Sequence, residues 1–232
     1  MSGLTSKSQI DSSAPLPRAE TQQSAVWKGT FGREYSDRNT FDPEALDQLC
    51  RKNYGVTRRA INEGVLREIP RNASFLEVGC NTGNQLLLLE RMGYSNLAGV
   101  EVQSYALEIA RRRVPDAELA LASALCLPYA DSAFDVVFTS GVLIHISPED
   151  LPRAMDEIYR CSRSYIWGLE YYAAEATEVR YRDCSGLLWK MDYARRYLER
   201  FSALKLVREQ RLPYRENQNI DSVFLLRKEE YV

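Results

Sequence analysis

A turn that contains two glycines and follows a short apolar run is the part of this sequence with the clearest chemical use. Residues 75–78 are followed by Gly79, Asn81 and Gly83. Gly79 allows a sharp turn at a strand end, and Gly83 allows the backbone to approach a ligand where a Cβ would clash. Asn81 stands where a third glycine is common, and asparagine tolerates the left-handed backbone better than most residues. The pattern predicts the first strand-to-helix turn of a nucleotide-binding sheet.

An acidic residue ends the next apolar run. Glu101 follows Gly79 at the distance typical of nucleotide-binding folds, where a carboxylate accepts hydrogen bonds from both hydroxyls of a ribose. A glycine turn alone is weak evidence, but a glycine turn with an acid at this spacing is stronger. Glu101 and its neighbour Val102 are therefore predicted to bind the ligand.

The chemistry of the turn restricts the kind of nucleotide. The sequence contains neither the GxxxxGK[ST] phosphate loop nor the GxGxxG dinucleotide fingerprint. Glu77, which precedes the turn, would repel a phosphate but can help to order the loop near an ammonium group. A zwitterionic nucleoside without pyrophosphate fits these residues best, and Glu77 and Cys80 are counted with the predicted loop.

Composition excludes several other classes of protein. The chain has 232 residues, 45% of them hydrophobic, which suits one domain of ordinary size. Its net charge is -2 and it has no long basic run, so we expect no nucleic-acid partner. Five scattered cysteines and one histidine do not make a zinc motif, and no metal site is predicted. Free thiols, short apolar runs and the absence of a secretory signal predict a cytoplasmic protein without membrane contact.

Short apolar runs alternate with helical patterns from residue 70 onward. Strands are predicted at 74–78, 97–101, 118–122, 134–139 and 165–169, and helices at 85–92, 105–113 and 148–161. This alternation indicates βαβ units, a parallel sheet and helices on both faces. The end of the chain predicts a helix at 193–201 and strands at 204–207 and 222–226. We therefore assign residues 70–232 to one α/β ligand-binding domain.

The first part of the chain has a different character. Residues 1–24 are rich in Ser, Thr, Gln, Pro and Ala, which predicts a disordered leader. Residues 25–69 are predicted to form a helical cap, in which Trp27, Phe31 and Tyr35 recur every four residues on one helix face. Asp42 is expected to cap the next helix, with a proline in its first turn, and a further helix is predicted at 56–67.

Residues 70–170 resemble the class I S-adenosylmethionine-dependent methyltransferases. The resemblance lies in residues 77–83, Glu101, residues 123–129 and residues 134–139. It implies S-adenosylmethionine as cofactor and a Rossmann-like fold. That fold has a mostly parallel seven-stranded sheet, helices on both faces and an antiparallel C-terminal strand.

The same resemblance implies further cofactor contacts. Ser123, Ala124 and Leu125 would flank the adenine, and Ser140 would lie at the end of the fourth strand. The family usually has an acid at the position of Ser123, and a serine hydroxyl can still bond the adenine amine.

A narrower similarity is to the pseudaminic acid biosynthesis-associated methylases. It is carried by residues 27–32, 35, 38–39, 141–146, 170–172, 181–182 and 188–190. This subgroup is named largely from the genes that neighbour its members. The similarity implies a surface-sugar or other specialised biosynthetic pathway as the context.

The residues Trp27, Tyr35, Arg38 and Asn39 allow two interpretations. They belong either to a helix that packs its aromatic face on the core or to a lid over the methionine end of the cofactor. In the second interpretation Arg38 pairs with the cofactor carboxylate, for which its forked donors are suited. Aromatic faces would also attract a sulfonium.

Four residues are candidates for catalysis. His145, the single histidine, follows the fourth strand, where it can serve as a general base or as a structural residue. Glu170, Tyr171 and Tyr172 follow the fifth strand at the edge where open α/β sheets bind ligands. They can supply a base or simply orient the acceptor.

The predicted function is methyl transfer from S-adenosylmethionine to nitrogen or oxygen of a small-molecule acceptor, by a monomer or homodimer. One alternative uses the same pocket without methyl transfer: the amine of S-adenosylmethionine attacks its own γ-carbon, giving a four-membered cyclic amino acid and methylthioadenosine. A second alternative is a non-catalytic regulator that binds the cofactor.

Overall fold

The computed structural model describes residues 21–182 and 184–229. Residues 1–20, most of the predicted leader, lie outside the described residues. Residues 21–24, also assigned to the leader, form the N-terminal cap and first turn of a helix, with Thr21 accepting a hydrogen bond from the backbone N–H of Ser24 at 3.1 Å.

Four helices precede the sheet, and their bounds are α1 (Gln22–Lys28), α2 (Thr30–Arg38), α3 (Pro43–Tyr54) and α4 (Arg58–Leu66). The prediction that Trp27, Phe31 and Tyr35 share one helix is wrong. The backbone is extended at Gly29, which ends α1 and caps the start of α2. The rings of Phe31 and Tyr35 nevertheless lie 5.3 and 5.2 Å from that of Trp27. The predicted cap of α3 is confirmed, since Asp42 accepts from the backbone N–H of Ala45 at 2.7 Å.

Strands and helices then alternate as predicted. Their bounds are β1 (Ser74–Val78), α5 (Asn84–Arg91), β2 (Asn96–Glu101), α6 (Ser104–Arg113), β3 (Glu118–Leu121), β4 (Phe134–Ser140), α7 (Leu151–Cys161), β5 (Ser162–Tyr171), β6 (Thr177–Glu178), β7 (Trp189–Lys190), α8 (Tyr193–Arg200), β8 (Leu204–Pro213) and β9 (Ile220–Lys228). A short 3₁₀ turn, Leu143–His145, follows β4. The strands β6 and β7 pair only with each other and were not predicted, because two-residue strands carry no periodicity.

The main sheet of the described residues has seven strands in the order β3-β2-β1-β4-β5-β9-β8. Strands β1 to β5 are parallel, and β9 is antiparallel to both of its neighbours. This confirms the predicted Rossmann-like fold with a mostly parallel sheet and an antiparallel C-terminal strand.

Helices cover both faces of this sheet. Along β1, Leu76 and Val78 pack into one apolar cluster while Phe75 packs into the other. The central strands are apolar at nearly every position for this reason, since both of their faces are buried. Among the described residues, none of the helices combines the length and the apolar character needed to cross a bilayer.

The strand order also places the site. β1 lies between β2 and β4, so the chain leaves β1 toward one side of the sheet and later returns to pair on the other. A crevice opens at the carboxyl ends of strands at such a switch point. The loop after β1, the end of β2 and the end of β4 therefore meet at one edge.

Candidate active site

The turn after β1 has the left-handed backbone that its residue types predicted. The φ angles of Gly79, Asn81 and Gly83 are 75°, 45° and 78°. A Cβ on Gly79 would lie 2.6 Å from the side chain of Val142, so this position needs glycine for space as well as for backbone conformation.

Glu101 connects this turn to the end of β2. Its Oε2 accepts from the backbone N–H of Asn81 at 2.8 Å, and its Oε1 accepts from Val102 and Gln103 at 2.8 and 2.9 Å. Burial raises the pKa of this carboxyl, and the three N–H donors oppose that rise. A carboxylate oxygen accepts more than one hydrogen bond, so Glu101 retains acceptor capacity toward the crevice.

The crevice is a cleft of about 960 Å³ that is partly open to solvent. Of the predicted site residues, it is lined by Trp27, Tyr35, Gly79, Asn81, Glu101, Val102, Ser123, Ala124, Leu125, Ser140 and His145. It is also lined by residues that were not predicted, which are Thr21, Gln23, Ser24, Gly32, Ser36, Gln103, Ala122, Gly141, Val142, Ile146, Ser147 and Asp150.

Three predicted loop residues lie behind the cleft wall. Glu77 is 3% exposed, and burial raises its pKa while one of its oxygens has no hydrogen-bond partner in the structure. Cys80 is buried against Gly99. Gly83 stands at the N-terminal cap of α5 and packs against Val114. These three residues lie on the side of the loop that faces the protein interior and do not line the cleft.

Arg38 and Asn39 also lie away from the cleft. Arg38 is exposed and pairs with Glu34 at 3.7 Å, and the side-chain amide of Asn39 donates to the carbonyl of Tyr35 at 2.8 Å. Successive helix residues are rotated by about 100°. Because Ser36 faces the cleft, Arg38 points away from it, and the geometry does not support the expected pairing of Arg38 with a cofactor carboxylate.

Polar contacts hold helices α1 and α2 over the cleft, among them bonds from Gln103, Gln23 and Tyr105. The side-chain amide of Gln103 faces the carbonyls of Trp27, Lys28 and Gly29 at 3.1, 2.7 and 3.0 Å. The hydroxyl of Ser36 lies 2.8 Å from the side-chain oxygen of Asn81. The helical cap thus contacts both the glycine turn and the segment that follows Glu101.

Residues 76–165 match the family model described as a methyltransferase domain. The match begins in β1 and ends in β5, so it includes all five parallel strands of the sheet in whole or in part. Solved structures of similar fold include chains with bound S-adenosylhomocysteine or S-adenosylmethionine.

Two curated relatives are similar to part of the chain. Methyltransferase GfsG of Streptomyces halstedii is 30% identical over 128 residues, which are 53% of this chain and 44% of that protein. O-methyltransferase rstn1 of Aspergillus nomiae is 26% identical over 128 residues, 53% of this chain and 55% of that protein. The chain spans about half the length of the curated relatives it matches.

A solved structure is similar over nearly the whole chain. It is the Burkholderia thailandensis 1,6-didemethyltoxoflavin-N1-methyltransferase with bound 1,6-didemethyltoxoflavin and S-adenosylhomocysteine. The TM-score is 0.68 at 17% identity, and the match covers 96% of this chain and 98% of that one. At this identity the likeness shows a shared fold.

A second cavity adjoins the cleft. The two share Tyr35, Ser140, Gly141 and His145, and the remaining lining residues are Ile144, Leu169, Glu170, Tyr171, Tyr181, Leu188, Tyr214 and Asp221. Tyr172, a predicted catalytic residue, does not line it. Its ring lies under Arg211, whose guanidinium carbon is 3.5 Å from the ring centroid.

His145 stands where the cleft and the second cavity join. Its Nδ1 lies 2.7 Å from the carbonyl oxygen of Leu187. A carbonyl only accepts, so Nδ1 carries the hydrogen and the lone pair is on Nε2. Burial lowers the pKa of His145 to about 4, which keeps the ring neutral near neutral pH. The residue therefore supplies a fixed, weakly basic nitrogen.

Glu170 positions the chain around His145. Its two oxygens accept from the backbone N–H groups of Val142 and Ile144 at 3.1 and 3.4 Å. Burial raises the pKa of Glu170 to about 7, against the effect of these donors. Because the 3₁₀ turn depends on this carboxyl, Glu170 acts first as a positioning residue for His145.

The cleft and the second cavity also include residues that the sequence analysis missed. Gln103 could have been found, since it follows Glu101 closely and its side chain caps α6. Tyr214 and Asp221 had no local signal, because they lie on the C-terminal hairpin and join the site only through pairing of β9 with β5.

Proposed function

We propose that this protein is an S-adenosylmethionine-dependent methyltransferase that methylates nitrogen or oxygen of a small molecule in a specialised or surface-sugar biosynthetic pathway. The observation that carries the proposal is that two spaces adjoin. A cleft with the residue types of a nucleoside site shares Ser140 and His145 with a second cavity, whose wall includes four tyrosines.

The residues of the cleft fit the cofactor. Glu101 would accept from the ribose hydroxyls, and the segment from Ser123 to Leu125 would flank the adenine. Gly79 presents only backbone to the cleft, which suits close approach of the methionine half. The indole N–H of Trp27 is buried without an acceptor in the structure, and Trp27 lines the cleft. A ligand acceptor group, such as the methionine carboxylate, would satisfy that donor.

The side chains around this junction contribute orientation more than acid–base chemistry. When bound, S-adenosylmethionine supplies an electrophilic methyl group, so holding the acceptor in line provides much of the rate. His145 Nε2 can accept a hydrogen bond from a hydroxyl or amine of the acceptor and so orient it, because a nitrogen with a pKa of about 4 is a weak base. The indole of Trp27 packs against this imidazole, with the ring centroids 4.5 Å apart.

Incubation with methyl-labelled cofactor and a small-molecule extract of the source organism tests the proposal. We expect label in one or a few small molecules together with S-adenosylhomocysteine, and less of both products from an E101A variant at the same cofactor concentration. Consumption of the cofactor to methylthioadenosine without S-adenosylhomocysteine would replace methyl transfer by the cyclisation reaction. Tight cofactor binding without turnover across extracts would favour the non-catalytic regulator.

A further inference from the structure

The second cavity contains a buried carboxylate oxygen with no partner. Asp221 is 3% exposed, and its Oδ2 accepts from the hydroxyls of Tyr54 and Tyr214 at 2.5 and 3.3 Å. Its Oδ1 is buried and has no hydrogen-bond partner in the structure. Buried polar atoms are nearly always satisfied, so an unsatisfied oxygen in a cavity wall calls for a donor from the occupant.

Strand register brings this oxygen to the acceptor side of the site. Asp221 in β9 pairs directly with Tyr171 in β5, so the two side chains stand on the same face of the sheet. Tyr35, Tyr181 and Tyr214 line the same cavity. The carboxylate is therefore surrounded by aromatic rings, whose faces attract cations.

The acidic side chains Glu170 and Asp221 line the second cavity. Burial raises the pKa of Asp221 to about 6, while Arg58 and Lys190 oppose that rise, so the carboxyl is ionised at neutral pH. Neither of these cations is among the lining residues: Arg58 donates to Ser140 Oγ at 2.7 Å, and the Lys190 ammonium lies against Asn219. Among the described residues that line the cavity there is no lysine or arginine.

We infer that the acceptor is a small molecule bearing an amine, which is anchored by Asp221 Oδ1 among the tyrosines of the second cavity. The inference rests on the proposed function, because it names the acceptor class of that site. An ammonium or amine donates to Oδ1 and lies against aromatic faces. An acceptor that presents a carboxylate or phosphate here would meet the buried acids Glu170 and Asp221, and neither Arg58 nor Lys190 lines the cavity to pair with it.

Three probes of the same shape and different charge test this inference: 2-phenylethylamine, 2-phenylethanol and phenylacetate. Each is titrated by calorimetry into the full chain, with and without S-adenosylhomocysteine. We expect the amine to bind about tenfold or more tighter than phenylacetate, since a charged hydrogen bond to a buried group contributes about 1.5–3 kcal/mol. Equal or tighter binding of phenylacetate, or no binding of any probe, would overturn the inference.

The variant D221N separates charge from shape. Asparagine keeps an oxygen for Tyr54 and Tyr214, so we expect affinity for the amine to fall about tenfold while affinity for the alcohol changes about twofold or less. Unchanged affinity for the amine would contradict the anchoring role of Asp221. If D221N does not fold, Y181L takes its place, with amine affinity expected to fall about threefold through loss of one aromatic face. Unchanged binding there would also count against the inference.

Cofactor binding is measured in the same titrations. Failure to bind S-adenosylhomocysteine or S-adenosylmethionine would contradict the proposed function, whatever the probes do. Normal cofactor binding with no preference for the amine would contradict the acceptor class alone.

Discussion

The backbone N–H of Asn81 donates to Oε2 of Glu101 over 2.8 Å, which joins the glycine turn after β1 to the acid at the end of β2. The carboxylate that would bind a ribose therefore also holds the loop that would bind the rest of the ligand. Loss of Glu101 should therefore affect both the contact with the ribose and the conformation of the loop after β1.

Replacement of Glu101 by alanine is expected to weaken binding of S-adenosylmethionine by about 1–3 kcal/mol, because a charged acceptor and three backbone contacts are lost. Calorimetry gives the affinity. Glu108→Ala, which removes an exposed carboxylate from α6, is the matched control and should bind normally. Equal affinities of E101A and E108A would remove Glu101 from the cofactor site.

Replacement of Gly79 by alanine should abolish or strongly weaken cofactor binding. Its φ is 75°, and the added Cβ would lie 2.6 Å from a methyl group of Val142, so the loop must shift. Gly93 has a φ of 90° but no neighbour within 4 Å of an added Cβ. G93A therefore reports backbone strain alone.

Cofactor titration and thermal unfolding of the two glycine variants separate the effects. We expect both to lose stability and only G79A to lose affinity. If G93A loses as much affinity as G79A, the contact with Val142 is not the cause.

Replacement of Gln103 by alanine should loosen the attachment of helices α1 and α2 to the rest of the protein. The amide lies against three carbonyls at the end of α1, and the variant removes this side-chain donor from all three. Hydrogen exchange read by mass spectrometry should show faster exchange in residues 21–38 and unchanged exchange in β1 and β4. Cofactor affinity should fall as well, since Trp27 and Tyr35 line the cleft.

Asn96→Ala is the control for the cap. It removes a similar side-chain bond to a carbonyl, from Asn96 to Asn72 at 2.7 Å, at an exposed position away from the cleft. Exchange in residues 21–38 should be normal in N96A. Identical exchange of the cap in Q103A and the unmodified protein would refute the fastening role of Gln103.

The buried histidine predicts a pH dependence of stability. Burial lowers the pKa of His145 to about 4, below the value of about 6.5 in an unfolded chain. As the pH falls, the unfolded chain takes up a proton before the folded protein does, and the free energy of unfolding decreases. From about pH 7 to about pH 5, this residue should cost the protein about 2 kcal/mol of stability.

Urea unfolding of the protein and of H145Q over this range measures that difference. Glutamine does not titrate, and its amide can still donate to Leu187, so H145Q should lose less stability as the pH falls. Curves of stability against pH that run parallel for the two proteins would show that His145 is not held neutral by burial.

Most of the fold followed from local patterns. Residues 74–78 were predicted as β1 and found with the same bounds, because a short apolar run before a glycine turn is specified by neighbouring residues alone. β5 was predicted at 165–169 and spans Ser162–Tyr171. The ends of β5 are set by its pairing with β4 and β9, and an apolar run in the sequence does not reveal that pairing.

About half of the residues that line the cleft were also predicted from the sequence. Gly79, Asn81 and Glu101 act through backbone conformation and a fixed spacing between adjacent strands, and both are local properties. Arg38 shows the limit of that reasoning. Its residue type suits a carboxylate, but the rotation of α2 on the core turns it toward solvent and Glu34.

The acceptor side was decided only by the tertiary structure. Asp221 lies far along the chain from Tyr54 and Tyr171, and no periodicity or spacing connects them. The antiparallel pairing of β9 with β5 and the packing of α3 bring a carboxylate between two tyrosine hydroxyls and against a third ring. The sequence by itself determined the sheet and the turn that would bind the cofactor. Long-range strand pairing determined which charge faces the acceptor, because a side chain's partners across a sheet depend on register and not on its neighbours in sequence.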